Sequence, residues 1–94
     1  MNKTIWKWSI NGGKTTISIP IGAEILTVQK QREEVVLWAL VDADSKKEEK
    51  EIMIYGTGHK VKDNPGKYIN TFQVSNGNLV FHVFDESIAQ AEEM

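Results

Sequence analysis

From Ile5 onward, apolar and polar residues alternate along the chain, and glycine, asparagine or proline repeatedly breaks the pattern. This period-two repeat constrains the fold more than any other feature. Side chains of a strand point alternately to its two faces, so alternation buries one face and leaves the other wet. In Ile5-Trp6-Lys7-Trp8-Ser9-Ile10, the residues Trp6, Trp8 and Ile10 share one face. Asn11-Gly12-Gly13 then supplies residues that tolerate positive φ, which predicts a hairpin turn into a second strand. Thr16 to Ile21 alternates again, with Ile17, Ile19 and Ile21 aligned; Pro20, lacking an amide hydrogen, belongs at a strand end or on an edge. Gly22-Ala23 reads as a turn into a third strand, Glu24 to Gln31, with Leu26 and Val28 on one side.

Val35-Val36-Leu37-Trp38-Ala39-Leu40-Val41 is apolar on both faces, the mark of a central strand covered on both sides. A buried helix is the rival reading, but seven residues is short for one, and β-branched residues open the run. Asp42 to Lys50, with seven charged residues in nine, is expected to form a solvated loop, the most mobile segment of the chain. Glu51 to Tyr55 resumes as strand and runs into Gly56-Thr57-Gly58-His59. A second loop, Lys60 to Lys67, contains the turn signal Asn64-Pro65-Gly66. Tyr68 to Val74 and Leu79 to Phe84 flank Ser75-Asn76-Gly77-Asn78, where Asn-Gly signals a hairpin. The last strand is again apolar on both faces. The tail, residues 85–94, is read as one or two helical turns or as frayed. The fold class is therefore all-β: a small antiparallel β-sandwich or partly closed barrel of about seven strands, with no long helix.

A chain of 94 residues has room for one core, so residues 1–94 form a single β domain. The absence of cysteine excludes disulfides and thiolate metal sites, and the inside of a cell is the expected location. No apolar run approaches the length of a membrane helix. Net charge is −2, with five basic residues against Glu24 alone in residues 1–32, and six basic against twelve acidic in the remainder. That split is too dilute for a duplex-binding face, which makes nucleic acid an unfavoured partner.

The most site-like segment is Tyr55-Gly56-Thr57-Gly58-His59-Lys60. Glycines two apart let a backbone approach a ligand closely, amides in such a turn can face an anion, and Thr57, His59 and Lys60 add hydrogen bonds or charge. Tyr55 and Trp38 are candidate stacking partners in this ligand site. The segment has neither the spacing of a phosphate-binding Walker loop nor the third glycine of a dinucleotide fingerprint. The bland alternative is that Gly56 and Gly58 only permit a bulge or bend. His59 and His82 are the two histidines, and a metal would need Asp42, Asp85 or Glu86 as a third ligand; nothing in the spacing favours that, and no metal or cofactor is assigned. His82, between Phe81 and Phe84, reads as a hydrogen-bonded strand residue. Trp6 and Trp8 share a face that is either core or subunit interface, and a homo-oligomer is expected. No catalytic residue is assigned, because no serine or cysteine nucleophile stands near a histidine in the sequence.

Leu37-Trp38-Ala39-Leu40-Val41-Asp42, Tyr55-Gly56-Thr57-Gly58-His59, Thr71-Phe72-Gln73 and Phe81-His82-Val83-Phe84 together resemble a family of small uncharacterised phage and prophage proteins. Ile5-Trp6-Lys7 and the segment Gly22 to Gln29 fit the same pattern, so the resemblance covers most of residues 4–85. It implies a phage-encoded accessory protein and brings no activity to any residue. Three functions follow as expectations. The first is a binding protein that sequesters a small anionic or nucleotide-like signal and so counters a host defence. The second is an interaction module acting on a host or phage protein, and the third is a virion or assembly accessory protein.

Overall fold

A computed structural model of the chain describes residues 1–88. Seven strands follow one another: β1 (Lys3–Ile10), β2 (Gly13–Pro20), β3 (Glu24–Gln31), β4 (Glu34–Asp42), β5 (Lys47–Gly56), β6 (Lys67–Val74) and β7 (Leu79–Asp85). They form two antiparallel sheets, one of three strands in the order β1-β4-β3 and one of four in the order β2-β5-β7-β6, and the sheets do not close into a barrel. The part of the tail expectation that covers residues 89–94 lies outside the described residues; residues 86–88 make one helical turn.

The alternation places the core. Ile10, Val28, Leu37, Ala39 and Val41 from the three-stranded sheet meet Ile17, Ile19, Ile52, Ile54, Phe72 and Val83 from the four-stranded one. Each valine, leucine, isoleucine or phenylalanine side chain among them contributes roughly 1.5–3 kcal/mol when removed from water, and burial of this kind holds the two sheets face to face. Trp6 and Trp8 pack against the same cluster, and the Trp8 indole donates a hydrogen bond to the Ser18 carbonyl across the sheets at 3.1 Å. Pro20 ends β2, an edge strand, where its missing amide hydrogen costs no ladder bond.

The connections depart from the expected pattern. Asn11-Gly12-Gly13 is not a hairpin: β1 pairs with β4 and β2 with β5, so the turn carries the chain from one sheet to the other. Gly22-Ala23 and the β4–β5 turn make the same crossing, and β5 reaches β6 by passing over β7. The true hairpins are β3–β4 and β6–β7. The first turns at Arg32-Glu33, with Arg32 at φ 56°, and the second at Ser75-Asn76-Gly77-Asn78 as expected.

The expected loop from Asp42 to Lys50 shrinks to residues 43–46. Lys47 to Lys50 already belongs to β5, paired with Pro20 to Ile17. Backbone pairing with β2 outweighs the low strand propensity of the charged residues; the side chains of Lys47, Glu48 and Glu49 remain in water, and that of Lys50 is turned in to pair with Asp85. The short turn is also tied down. The Asp42 carboxylate accepts hydrogen bonds from the amides of Asn2 and Asp44, which hold its pKa below the ordinary carboxylate range. Leu26 and Val28 do not share a side either. A bulge between Ile25 and Thr27 resets the register, so Val28 is buried while Leu26 is 44% exposed on the outer face.

The loop between β5 and β6 is fastened to the end of β7 by charge. Glu86, almost wholly buried, sits 2.7 Å from the Lys62 ammonium and 3.3 Å from that of Lys14. The hydrogen bond from Lys62 is the main reason its carboxyl titrates below the usual glutamate range, and Glu86 in turn raises Lys14 above its ordinary value. A lowered carboxylate pKa contributes stability that is present above the unfolded value near 4.5 and disappears as pH falls through the folded value. Both ammonium groups are half-exposed, so solvent screening limits the effect. Glu86→Gln is expected to cost about 1 kcal/mol at neutral pH and to flatten the loss of stability below pH ~5, measured by urea unfolding across pH.

Candidate functional site

The turn after β5 is built by its own backbone. The His59 amide donates to the Gly56 carbonyl at 3.1 Å, closing a four-residue turn, and Gly58 takes φ +89° within it. The His59 ring lies directly over Gly56, where an added Cβ would stand 2.9 Å from the imidazole. Thr57 fastens the turn to β7: its amide and its hydroxyl both reach the Val80 carbonyl, at 3.1 and 3.2 Å. The same hydroxyl lies 2.7 Å from Nε2 of His82.

His82 belongs to a longer polar row on the outward face of the four-stranded sheet. Its Nδ1 lies 3.0 Å from the Thr71 hydroxyl, which lies 2.7 Å from the Tyr68 hydroxyl. Every member of the row has a partner. The row runs from the Tyr68 hydroxyl through Thr71 and both ring nitrogens of His82 to the Thr57 hydroxyl, which donates to Val80. Both ring nitrogens of His82 are thus occupied by hydroxyls, the hydrogen-bonded strand histidine that the sequence implied. Asp85 and Glu86 have partners of their own: Asp85 meets Lys50 at 3.1 Å and the Ser87 amide at 3.1 Å. Among the described residues, no three histidine or acidic side chains are gathered so that they could hold a metal ion.

Between this turn and the β6–β7 hairpin lies a half-open hollow of about 370 Å³, lined by Gly56, Thr57 and His59 on one side and by Asn78, Leu79, Val80 and Phe81 on the other. Three of the expected site residues are therefore brought together: Gly56, Thr57 and His59. Gly58 forms the apex of the turn, and Lys60 is exposed just beyond it; neither lines the hollow. Tyr55 is buried on the outer face of its sheet, edge-on to Phe84 at 5.8 Å, and Trp38 stands on the outer face of the other sheet. Neither aromatic reaches the hollow. Its ring comes instead from Phe81, placed by the pairing of Gly56 with Phe81 across β5 and β7. Sequence reading missed Asn78 to Phe81 because only strand order brings them to the turn.

A second hollow of similar volume, about 370 Å³, opens where β3 begins and β7 ends. Lys50 and Asp85 face each other there at 3.1 Å and neutralise one another, so it presents no net charge from that pair. Trp6 and Trp8 form no outward patch: they are half-buried against the core, edge-on at 6.2 Å, with the Lys47 ammonium 5.5 Å from the Trp6 ring.

The molecule is thus a two-sheet β protein with a small surface hollow framed by a glycine turn and a hairpin. Over residues 1–94 the chain matches the model of a family described as a domain of unknown function, DUF7352, and it belongs to that family. No curated protein and no solved structure gives a significant match. No helix among the described residues is long and apolar enough to cross a membrane.

Proposed function

We propose that the protein is a non-catalytic binding module that captures a small, planar, nucleotide-like ligand in the hollow between residues 56–59 and 78–81. The observation that supports this is its mixed lining. The hydroxyl of Thr57, the imidazole of His59 and the amide of Asn78 lie beside the apolar surface of Leu79, Val80 and Phe81. Small-ligand sites generally combine an apolar wall with a few convergent polar groups, and about 370 Å³ falls at the small end of their range. The lining favours a ring system held by Phe81 and Leu79 over a bare phosphate, with Lys60 beyond the turn as the group that meets an attached anion. The phage resemblance of the sequence supports the further reading: an accessory protein acting in the cytoplasm of a host cell, sequestering a signal that would otherwise serve defence.

Native mass spectrometry of protein purified gently from its expression host tests the reading, followed by calorimetric titration with nucleoside monophosphates. A co-purifying mass, or saturable binding, is expected. Gly58→Val is expected to abolish binding, because a β-branched residue does not adopt φ +89° without strain and the turn must move. Lys60→Glu is expected to weaken binding of the phosphorylated nucleoside at least about tenfold and to leave the bare nucleoside unchanged. Affinity unaltered in both variants removes this turn from the reading.

A further inference from the structure

The outward face of the three-stranded sheet has the chemistry of an interface. Register sets its composition. Lys3, Ile5 and Lys7 of β1 lie opposite Asp42, Leu40 and Trp38 of β4, and Glu24 and Thr27 of β3 lie opposite Leu40 and Trp38. Ile5 is 56% exposed and the bulged Leu26 44%, while Trp38 and Leu40 between them are half-buried. An aromatic and three aliphatic side chains therefore form one outward patch on a sheet whose other face already holds the core. Among the described residues nothing covers it.

Charge is divided across this patch by strand. The β1 side carries Lys3 and Lys7, and the β3 side carries Glu24 at the level of Ile5, midway between those two lysines. Lys7 makes a single hydrogen bond, to Gln31 at 3.2 Å, and neither Lys3 nor Glu24 has an ion pair within the described residues. With Lys3 and Lys7 on one edge strand, Glu24 on the other, and Leu40 and Trp38 between Asp42 and Glu34 on the central one, the face is complementary to itself around Glu24. A two-fold axis parallel to β4 lays β1 of each copy over β3 of the other. Trp38 then packs beside its symmetry mate, Ile5 meets the Leu26 side, and Glu24 falls between Lys3 and Lys7 of the facing copy. Two sheets packed face to face about 10 Å apart have this aligned arrangement.

We propose that this face is the surface through which two copies of the chain associate. The hollow at one end of this face, lined by Lys7, Gln31, Arg32, Glu33 and Glu34, is polar and lies at the β3–β4 turn rather than over Ile5, Leu26 and Leu40, and two lysines beside a glutamate do not suit a nucleic acid. Three strands at about 4.8 Å spacing and eight residues at about 3.3 Å make a face of roughly 400 Å² per copy, about half of what each partner buries in a stable specific interface, which is the size of a weak, reversible contact. The dimer is accordingly concentration-dependent, with a dissociation constant in the micromolar range.

Sedimentation velocity of the full chain, from low micromolar to about 500 µM, reads the equilibrium directly. The wild type is expected to pass from monomer to dimer over that range. Glu24→Lys and the double variant Lys3→Glu/Lys7→Glu each place like charges across both halves of the interface and are expected to weaken association at least about tenfold. An equimolar mixture of the two is expected to restore it, because each β1 then meets a β3 of opposite charge. Circular dichroism of the variants checks that the exposed substitutions leave the fold intact. A wild type that stays monomeric at all concentrations overturns the proposal. So does association that survives both charge reversals, or a mixture no stronger than its components.

Discussion

Gly66→Ala is expected to remove about half of the folding free energy of the protein, lowering its urea midpoint accordingly. Gly66 has φ +98°, where an alanine is strained by roughly 1–2 kcal/mol whatever surrounds it. The surroundings add more. Built on this backbone, a Cβ would run into the Asp85 carbonyl and stand 2.9 Å from the Asp85 carbonyl carbon and from Glu86 Cα. These are backbone atoms, and Lys67 pairs with Asp85 in the very next rung, so relief requires the start of β6 to move off β7. Strain plus displaced pairing is expected to cost about 3–5 kcal/mol against a total of about 5–10 kcal/mol for a domain of this size. Equilibrium urea unfolding of the two proteins measures it. A difference below about 1 kcal/mol would mean that the loop end is free to shift and that the crossover between β5 and β6 is not locked by this contact. Gly58→Ala in the turn is a useful contrast, since φ there is +89° but no atom lies within 4 Å of the missing Cβ.

The contrast between those glycines also marks what the sequence carries and what it does not. Positive φ is a local property, and both sites are written as glycine in turn-like surroundings. What each glycine touches depends on strand order. The same division runs through the whole fold. Strand identity was legible because burial on one face imposes a period of two, and Ile17, Ile19, Val28, Leu37, Ala39 and Val83 all obey it. The partners of those strands were not legible. Asn11-Gly12-Gly13 permits a reversal whether the next strand pairs with the last or joins the opposite sheet, and here it joins the opposite sheet. Lys47 to Lys50 carries the composition of a loop, but β2 supplies a backbone ladder that composition does not announce.

The candidate site divides in the same way. Gly56, Thr57 and His59 stand together because they are neighbours in the chain, and a turn keeps neighbours close. Trp38 and Tyr55, attached to that site as aromatics within reach, fall elsewhere because each points out of a different sheet. The face of Trp6 and Trp8 is turned toward the core, and the outward apolar patch lies on the opposite side of the same strands, around Trp38. An extra residue at Leu26 accounts for part of that patch. A bulge of one residue leaves no mark in an alternating sequence except a broken phase, and Leu26 and Val28 look in phase until the partner strand is known.

Asn70→Leu carries the second large expected effect, and it tests the seam between the sheets. The Asn70 side chain acts as a short piece of strand. Its Oδ1 accepts from the Val28 amide and its Nδ2 donates to the Val28 carbonyl, each at 2.8 Å. These two bonds tie the edge strand β3 of one sheet to the edge strand β6 of the other, joining the half-buried Asn70 to Val28, which is fully buried. Leucine has nearly the same volume but leaves a buried donor and a buried acceptor unpaired, so about 3 kcal/mol of stability is expected to be lost, read by urea unfolding. Hydrogen exchange at the Val28 amide is expected to accelerate more than at neighbouring strand amides. Asn70→Asp separates hydrogen bonding from shape. The ionised carboxylate still accepts from the Val28 amide but faces the carbonyl with a second acceptor, whereas the protonated acid donates to it. The folded state therefore binds the proton more tightly, the pKa of the introduced acid is raised, and this variant is expected to gain stability relative to wild type as pH falls through that value. An Asn70→Asp variant whose deficit is the same at pH 4 and pH 7 would show that Asn70 closes the seam by packing and not by completing the backbone hydrogen bonds of Val28.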